Sequence, residues 1–516
     1  MSQSLPVQWL KETIRQCLEF LADAEKEQGI KSEFEKLGEI YVGFAYSEKK
    51  NVHELIRAQL GQSEGIYVLS CILYFTKIKD FWKDVAYYLE YGNFDCLTGS
   101  MLEIQLVFWG NLSYSKMREI HRKNLERFIG DMTMSFPHLP LTKRNANRVV
   151  IITEQLLSPE THSPTKIVMR FAEVLKKAGY EVFILICPSN RVLPREQWIN
   201  TWGYHGETER THAIMQVSGV EVETFWFPMT GCNIQDYEDM LSMVYEWNPL
   251  FVLNMGVNNP VADLPQLFTT VAAMDMTIDC PVSEAEILIR YTRRELQYER
   301  QYEMELKSCQ TQIFMEEKLP AIIEKPQRKY TRLELGLPQD KFLIAIVGNR
   351  LDTEINPQFM QVMRRILREQ TDAAFVIIGQ VEKLPEYLSD KIFQNRVYYL
   401  GYCRDLSGAY SVLDLYLNPG RLGGGWSGAI ALASGLPVVT LPECDVAYNV
   451  GENFTVDNYE ALIKEVAHYM TDTEFYHKRR KQAFQTAETY GKDKMEQYVT
   501  KLFAKIREAL TYDSVQ

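Results

Sequence analysis

Apolar positions recur with two different periods along the chain. Over residues 7–130 the period is helical: Trp9, Ile14, Cys17, Leu18 and Leu21 return every three or four positions, as do Tyr67, Leu69, Ile72, Leu73 and Phe75. Glycine and proline are sparse there. Aromatics crowd residues 74–108, among them Phe81, Trp82, Tyr87, Tyr88, Tyr91 and Phe94, as large side chains do where helices pack together. The pattern predicts an all-helical first domain, acting either as a structural cap or as a docking platform for a partner or acceptor.

The period changes after a connector at residues 137–148 that carries proline, lysine and arginine. Residues 148–153 (RVVIIT) read as a buried strand, 163–179 as an amphipathic helix closed by Gly179, and 181–187 (EVFILIC) as a second strand. Further units at 220–227, 237–246 and 251–254 extend this into a parallel-sheet α/β domain. The charged stretch 297–320 and the basic, proline-bearing 324–332 mark the next boundary. A second α/β series follows, with strands at 342–348 (FLIAIVG), 375–379 (FVIIG), 397–400, 413–417 (LDLYL) and 437–441 (PVVTL). Helical spacing returns at Met495, Tyr498, Val499, Leu502, Phe503 and Ile506.

Composition narrows the classes. At 516 residues the chain accommodates about three domains of ordinary size, and 46% hydrophobic residues support a buried interior. A net charge of −12 repels phosphate backbones and anionic lipid on average, so nucleic-acid binding is not expected. Nine cysteines, an odd number without a C-x-x-C pair, read as reduced thiols in a cytosolic setting. Residues 1–16 lack the apolar core of a signal peptide, and the longest apolar run, 65–76, reads as a buried helix, short of the ~18 residues of a membrane span. The expected location is the cytoplasm, with peripheral contact at the inner membrane face left open. The basic run at 478–481 reads as a solvated helix face.

Candidate chemistry concentrates at residues 418–428 (NPGRLGGGWSG), a glycine-rich turn between a buried strand and a helix. Glycines let backbone N–H groups approach a ligand, and a helix N-terminus adds positive potential, which suits a diphosphate; a tight turn alone would also use them. Ser427 either donates to phosphate or caps the helix. The segment lacks a G-K-[ST] ending, and the first α/β domain shows no G-x-G-x-x-G, against ATPase and dehydrogenase readings. No H-E-x-x-H, D-x-D or Cys/His cluster points to a metal.

Taken in order, Gly348-Asn349-Arg350-Leu351, FVIIG, RVYYLGYCRDLSGAYSVLDLYLNP, the glycine turn and GLPVVTL resemble the C-terminal domain of glycosyltransferases with the GT-B fold, over residues 348–441. Residues 444–451 (CDVAYNVG) resemble a loop of bacterial proteins of this kind, and 161–166 (THSPTK) is similar to the His-Pro-Thr element of O-GlcNAc transferase-like enzymes. The resemblance implies two Rossmann-like α/β domains facing a cleft, behind the all-helical domain. The corresponding limits are 1–145 helical, 146–325 acceptor side, 326–490 donor side, and 491–516 a final helix returning to the first α/β domain. It implies a nucleotide sugar, a UDP-sugar, as co-substrate, with no other cofactor and no metal. Asn349, Arg350, Tyr402, Arg421, Gly423, Gly424, Gly425 and Ser427 would contact it. A protein or glycan is the implied acceptor, and the helical domain offers a surface for a protein partner.

The chain departs from that family pattern at the carboxylates that relatives use on the donor: these positions fall at Ile430 and Leu422, and a lysine common after the Gly-Arg element is replaced within 352–357 (DTEINP). Loss of a charge-assisted bond to the ribose weakens a donor by about 1.5–3 kcal/mol. For a general base, histidine suits neutral pH best, and of the eight histidines His162 alone follows the first α/β strand closely, at the edge where such sheets bind ligands. A histidine that only positions phosphate or acceptor fits as well, and Glu160, Asp263 and Glu284 are further carboxylate candidates. The expectation is therefore a glycosyltransferase, set against a non-catalytic GT-B-like binding subunit and a nucleotide-sugar epimerase.

Overall fold

The computed structural model describes residues 8, 11, 12, 15, 38–59, 78–109, 112–157, 162–188, 209–228, 232–256, 258–276, 280–291, 296–381, 389–421, 423–442 and 444–513. The periodic apolar residues from Trp9 to Leu21 and from Tyr67 to Phe75, with Glu160 and Leu422, lie outside the described residues.

Among the described residues the N-terminal part carries helices α1 (Tyr46–Gln59), α2 (Lys79–Tyr91), α3 (Cys96–Trp109) and α4 (Tyr114–Asp131). Helix α2 shows why the crowded aromatics divide: Phe81, Trp82, Tyr88 and Leu89 face inward, whereas Tyr87 and Tyr91 fall on the opposite face and are exposed. There the cations of Arg57 and Lys123 lie 5.0 and 5.3 Å from the two ring centres.

Beyond it stands an eight-stranded sheet in the order β3-β4-β2-β1-β5-β6-β7-β8. Its strands are β1 (Asn145–Thr153), β2 (Glu181–Ile186), β3 (Thr211–Val217), β4 (Val220–Trp226), β5 (Pro249–Gly256), β6 (Val271–Asp275), β7 (Ile287–Arg290) and β8 (Thr311–Phe314). Alternating residues of β1 serve two cores. Val150 and Ile152 join the cluster shared with the helical domain and α6 (Ile234–Trp247), and Val149 and Ile151 join the cluster under α5 (Ser163–Lys177). Two features differ from the sequence reading. Strand β3 runs antiparallel to β4 at the sheet edge, so the sheet is mixed rather than wholly parallel. The charged stretch around 297–320, in which no strand was read, contributes β8 to this sheet, paired with β7.

The second sheet is parallel, in the order β11-β10-β9-β12-β13, built from β9 (Phe342–Gly348), β10 (Ala373–Gly379), β11 (Val397–Gly401), β12 (Leu415–Leu417) and β13 (Val438–Val439). Helix α7 (Pro357–Glu369) lies between β9 and β10 in sequence, α8 (Gly425–Ala433) between β12 and β13, and α9 (Asp445–Val450), α10 (Tyr459–Thr471) and α11 (Thr473–Ala487) after β13. α7 and α10 pack on one face, and α8, α9 and α11 on the other. The basic run lies on α11, where Arg480 Nε donates to the Gly435 carbonyl at 3.1 Å. The final helix, α12 (Lys492–Asp513), lies on the first sheet: Met495, Val499, Leu502 and Ile506 are buried there, and Phe503 stands 5.3 Å from Phe251.

In both sheets the chain reverses its direction of strand addition. The first grows from β1 through β2 and then resumes on the other side at β5; the second grows from β9 through β10 and β11 and resumes at β12. Crevices for ligands open at the carboxyl ends of strands flanking such points. Glycines let the strand ends approach there. Gly379 ends β10 with φ +123°, and a Cβ on it would lie 1.8 Å from the Gly348 carbonyl oxygen. Gly379→Ala is expected to cost more than about 2 kcal/mol, measured as a lowered denaturant midpoint; an unchanged midpoint would show that these strand ends separate freely.

Candidate functional site

The loops after β9 and β12 meet at the second reversal point. The first brings Asn349, Arg350 and Glu354, and the second brings Arg421 and the glycine turn. Gly423 and Gly424 have φ +82° and +73°, in the left-handed region where a side chain is strained. Gly425 opens α8 and is buried: a Cβ on it would meet Asn449 and the Asp445 carbonyl. The three glycines thus have two causes, a backbone turn and a close helix contact. The first amides of α8, those of Gly424, Gly425 and Trp426, have no carbonyl partner within their own helix, and the helix dipole adds positive potential there.

Two arginines share one carboxylate beneath the turn. Arg421 Nη1 pairs with Glu354 Oε2, and Arg350 Nη2 lies 3.3 Å from Glu354 Oε1. Their surroundings differ. Arg421 has a side chain only 5% exposed, and its Nη2 also donates to the Val347 carbonyl at 2.7 Å and to the Tyr416 hydroxyl at 3.0 Å. It stitches β9, β12 and the turn together, so the expectation that it contacts the donor gives way to an internal role. The Arg350 side chain is 45% exposed, and its Nη2 would lie 3.0 Å from a Cβ on Gly423, directly beside the turn.

Ser427 is also used internally. Its hydroxyl donates to the Gly424 carbonyl at 2.6 Å and lies 2.9 Å from the Tyr416 hydroxyl; it stands in the first turn of α8, whose N-cap is Gly424, and makes no capping bond to a backbone amide. Asn349 Oδ1 would lie 3.2 Å from a Cβ on Gly379, placing this side chain at the ends of β9 and β10. Tyr402 follows β11, two strands away from β9, and is 45% exposed. Ile430 lies on α8 and packs against the apolar cluster under that helix, so no carboxylate enters the site from its position.

Three participants were not singled out by sequence reasoning: Glu354, Tyr416 and Asp445. Asp445 opens α9, and its Oδ2 accepts from the Gly423 amide at 2.6 Å. That amide, expected to meet a diphosphate, is engaged by the protein itself.

At the first reversal point, the loop after β1 leads to His162, the N-cap of α5. The Thr165 amide donates to its Nδ1 at 3.3 Å, and the Thr165 hydroxyl lies 2.8 Å from the same nitrogen. Burial lowers its pKa to about 4. The ring is therefore neutral near pH 7, with its proton on Nε2, and it offers a donor rather than a base. Asp263, beyond β5, is fully buried and accepts from Asn254 Nδ2, Ser283 Oγ and the Glu284 amide, each at 2.8 Å, and pairs with His121 Nε2 at 3.0 Å. Glu284 pairs with Arg118 at 3.0 Å and with Lys307. Burial opposes its charge, but Lys307, Arg118 and Arg122 hold its pKa below the usual value. Both carboxylates fasten the helical part to the first sheet and are not available as bases.

Residues 342–472 match the family described as "Glycosyl transferases group 1". No curated protein matches the chain. Among solved structures, a variant of the O-GlcNAc transferase of Thermobaculum terrenum is similar with a TM-score of 0.61 at 12% identity, covering 99% of each chain. A glycosyltransferase from Rickettsia africae is similar with a TM-score of 0.50 at 12% identity, covering 70% of this chain and 99% of that one. At such identities the likeness concerns the fold, and it spans both sheets. The chain therefore has the GT-B fold over nearly its whole length, and within it residues 342–472 match the group 1 glycosyltransferase family.

Proposed function

We propose that the protein transfers a sugar from a nucleotide sugar, a UDP-sugar, to a hydroxyl or amide of a protein or cell-surface glycan, without a metal. The observation that carries this reading is the meeting of Arg350 with the Gly423–Gly425 turn beside the first amides of α8. In the transfer the anomeric carbon–oxygen bond to the diphosphate breaks, the diphosphate leaves with the electron pair, and the acceptor atom forms the new bond and gives up its proton. A half-exposed guanidinium and oriented N–H groups meet the charge that grows on the leaving oxygens. His162, neutral and protonated on Nε2, orients the acceptor or a phosphate by donating a hydrogen bond, and the acceptor's proton passes to an oxygen of the departing diphosphate.

A second reading, a binding subunit without catalysis, is favoured by Ile430 in place of a carboxylate and by the engagement of Arg421 and the Gly423 amide within the protein. A panel of nucleotide sugars separates the two. A raised melting temperature with a UDP-sugar, followed by its slow hydrolysis, is the expected result. No shift with any nucleotide would favour the binding subunit.

A further inference from the structure

The short helix α9 touches the glycine turn near one end and the first α/β domain near the other. At its first residue, Asp445 Oδ2 accepts from the Gly423 amide at 2.6 Å. One turn later, the Tyr448 hydroxyl accepts from the Leu319 amide at 3.0 Å and donates to the Tyr291 carbonyl at 3.3 Å. The rings of Tyr291 and Tyr448 meet edge to face at 5.8 Å, and Lys318 Nζ donates to the Tyr448 carbonyl. Between these ends α9 is pressed onto α8: a Cβ on Gly428 would lie 2.8 Å from Val446, and one on Gly425 would lie 2.5 Å from Asn449 Nδ2. Tyr490 adds a bond from its hydroxyl to the Asn449 carbonyl at 2.9 Å.

We propose that Asp445 is a positioning residue for nucleotide binding, holding the glycine turn in its left-handed conformation, and that Tyr448 fixes this assembly against the first domain. Gly423 and Gly424 both have positive φ, a region glycine enters without preference, so the turn's shape must be selected by a contact from outside it. The Asp445 carboxylate supplies that contact through a short, charge-assisted bond. The Gly423 amide then serves the turn's own structure, and the amides of Gly424, Gly425 and Trp426 are left to face phosphate oxygens. A carboxylate in this place also carries a cost, since it stands near the site of a dianion. The bond rather than the charge is therefore what the turn needs. Because α9 is pinned at Tyr448 to Tyr291 and Leu319, the turn's position relative to the acceptor-side domain is set through the same six residues.

This inference rests on the donor reading, and its test separates the two. UDP is titrated calorimetrically into the wild type, Asp445→Asn, Asp445→Ala and Tyr448→Phe, with the thermal midpoint of each recorded as a check of folding. Asp445→Ala is expected to bind UDP at least tenfold more weakly. Asp445→Asn, whose amide oxygen can accept the same bond without the charge, is expected to bind within about threefold of wild type or more tightly. Tyr448→Phe is expected to keep UDP affinity while lowering kcat for donor turnover, a split that simple loss of stability does not produce. Wild-type affinity in Asp445→Ala, tighter binding by it, or a loss in Asp445→Asn equal to that in Asp445→Ala overturns the assignment. If Asp445→Ala does not fold, the Asp445→Asn and Tyr448→Phe results decide in the same way. Absence of UDP binding by the wild type itself overturns the donor reading instead.

Discussion

Replacing His121 by leucine is expected to lower folding stability by about 3–5 kcal/mol, because it removes the cation from between two buried carboxylates. His121 projects from α4, with Nδ1 2.8 Å from Glu103 and Nε2 3.0 Å from Asp263, and all three side chains are nearly inaccessible. Burial alone would lower the imidazole pKa, but Glu103 and Asp263 together raise it to about 10. The sign of the pH dependence follows. The folded value lies above the ordinary histidine value near 6.5, so this stabilisation is complete below about pH 6.5 and fades as the pH rises toward 10. The wild-type denaturant midpoint should fall across that window, with a steeper slope than in His121→Gln, which cannot carry the charge. Equal slopes would mean that the histidine is not a buried cation. The effect reaches the candidate site through Asp263, which also binds Asn254 at the end of β5, so the helical part is wired to the acceptor-side reversal point.

How much of this was legible in the sequence depends on where the information lies. Strands such as Phe342–Gly348 and Ala373–Gly379 are buried along nearly their whole length, so their apolar runs announce them. Strand β3 was missed because only alternate residues turn inward and Ile214 points outward, 61% exposed. Strand β8 was missed because, of its four residues, only Ile313 is buried. Within the site, the glycine turn and Arg350 were visible as an ordered series of motifs. Glu354 was not, since its role exists only when β12 brings Arg421, 67 positions later, beside it. Asp445 likewise acts across the turn on Gly423, 22 positions away, and no local pattern marks that pairing. His162 was correctly placed in the loop after β1, but its tautomer depends on the Thr165 amide, a detail of capping geometry.

Arg350→Ala is expected to weaken nucleotide binding by about 1.5–3 kcal/mol, roughly tenfold to a hundredfold, since a hydrogen bond to a charged group is worth that much. The side chain is 45% exposed, so solvent screening places the loss toward the lower end of that range. Transfer should suffer more than binding, because charge on the diphosphate grows as the bond breaks; a loss of about a hundredfold or more in kcat/KM is expected. The fold should survive, because Glu354 keeps its partner Arg421 and is not left as an unpaired buried charge. A circular dichroism spectrum and thermal midpoint close to wild type check that point.

On the proposed function, the reversal point between β9 and β12 is a nucleotide site built around Arg350 and the turn at Gly423–Gly425. Calorimetric titration of UDP into the wild type and Arg350→Ala tests it most directly. One saturable site is expected in the wild type, with at least tenfold weaker affinity in the variant. Equal affinities in the two proteins, or no binding by the wild type, would contradict it.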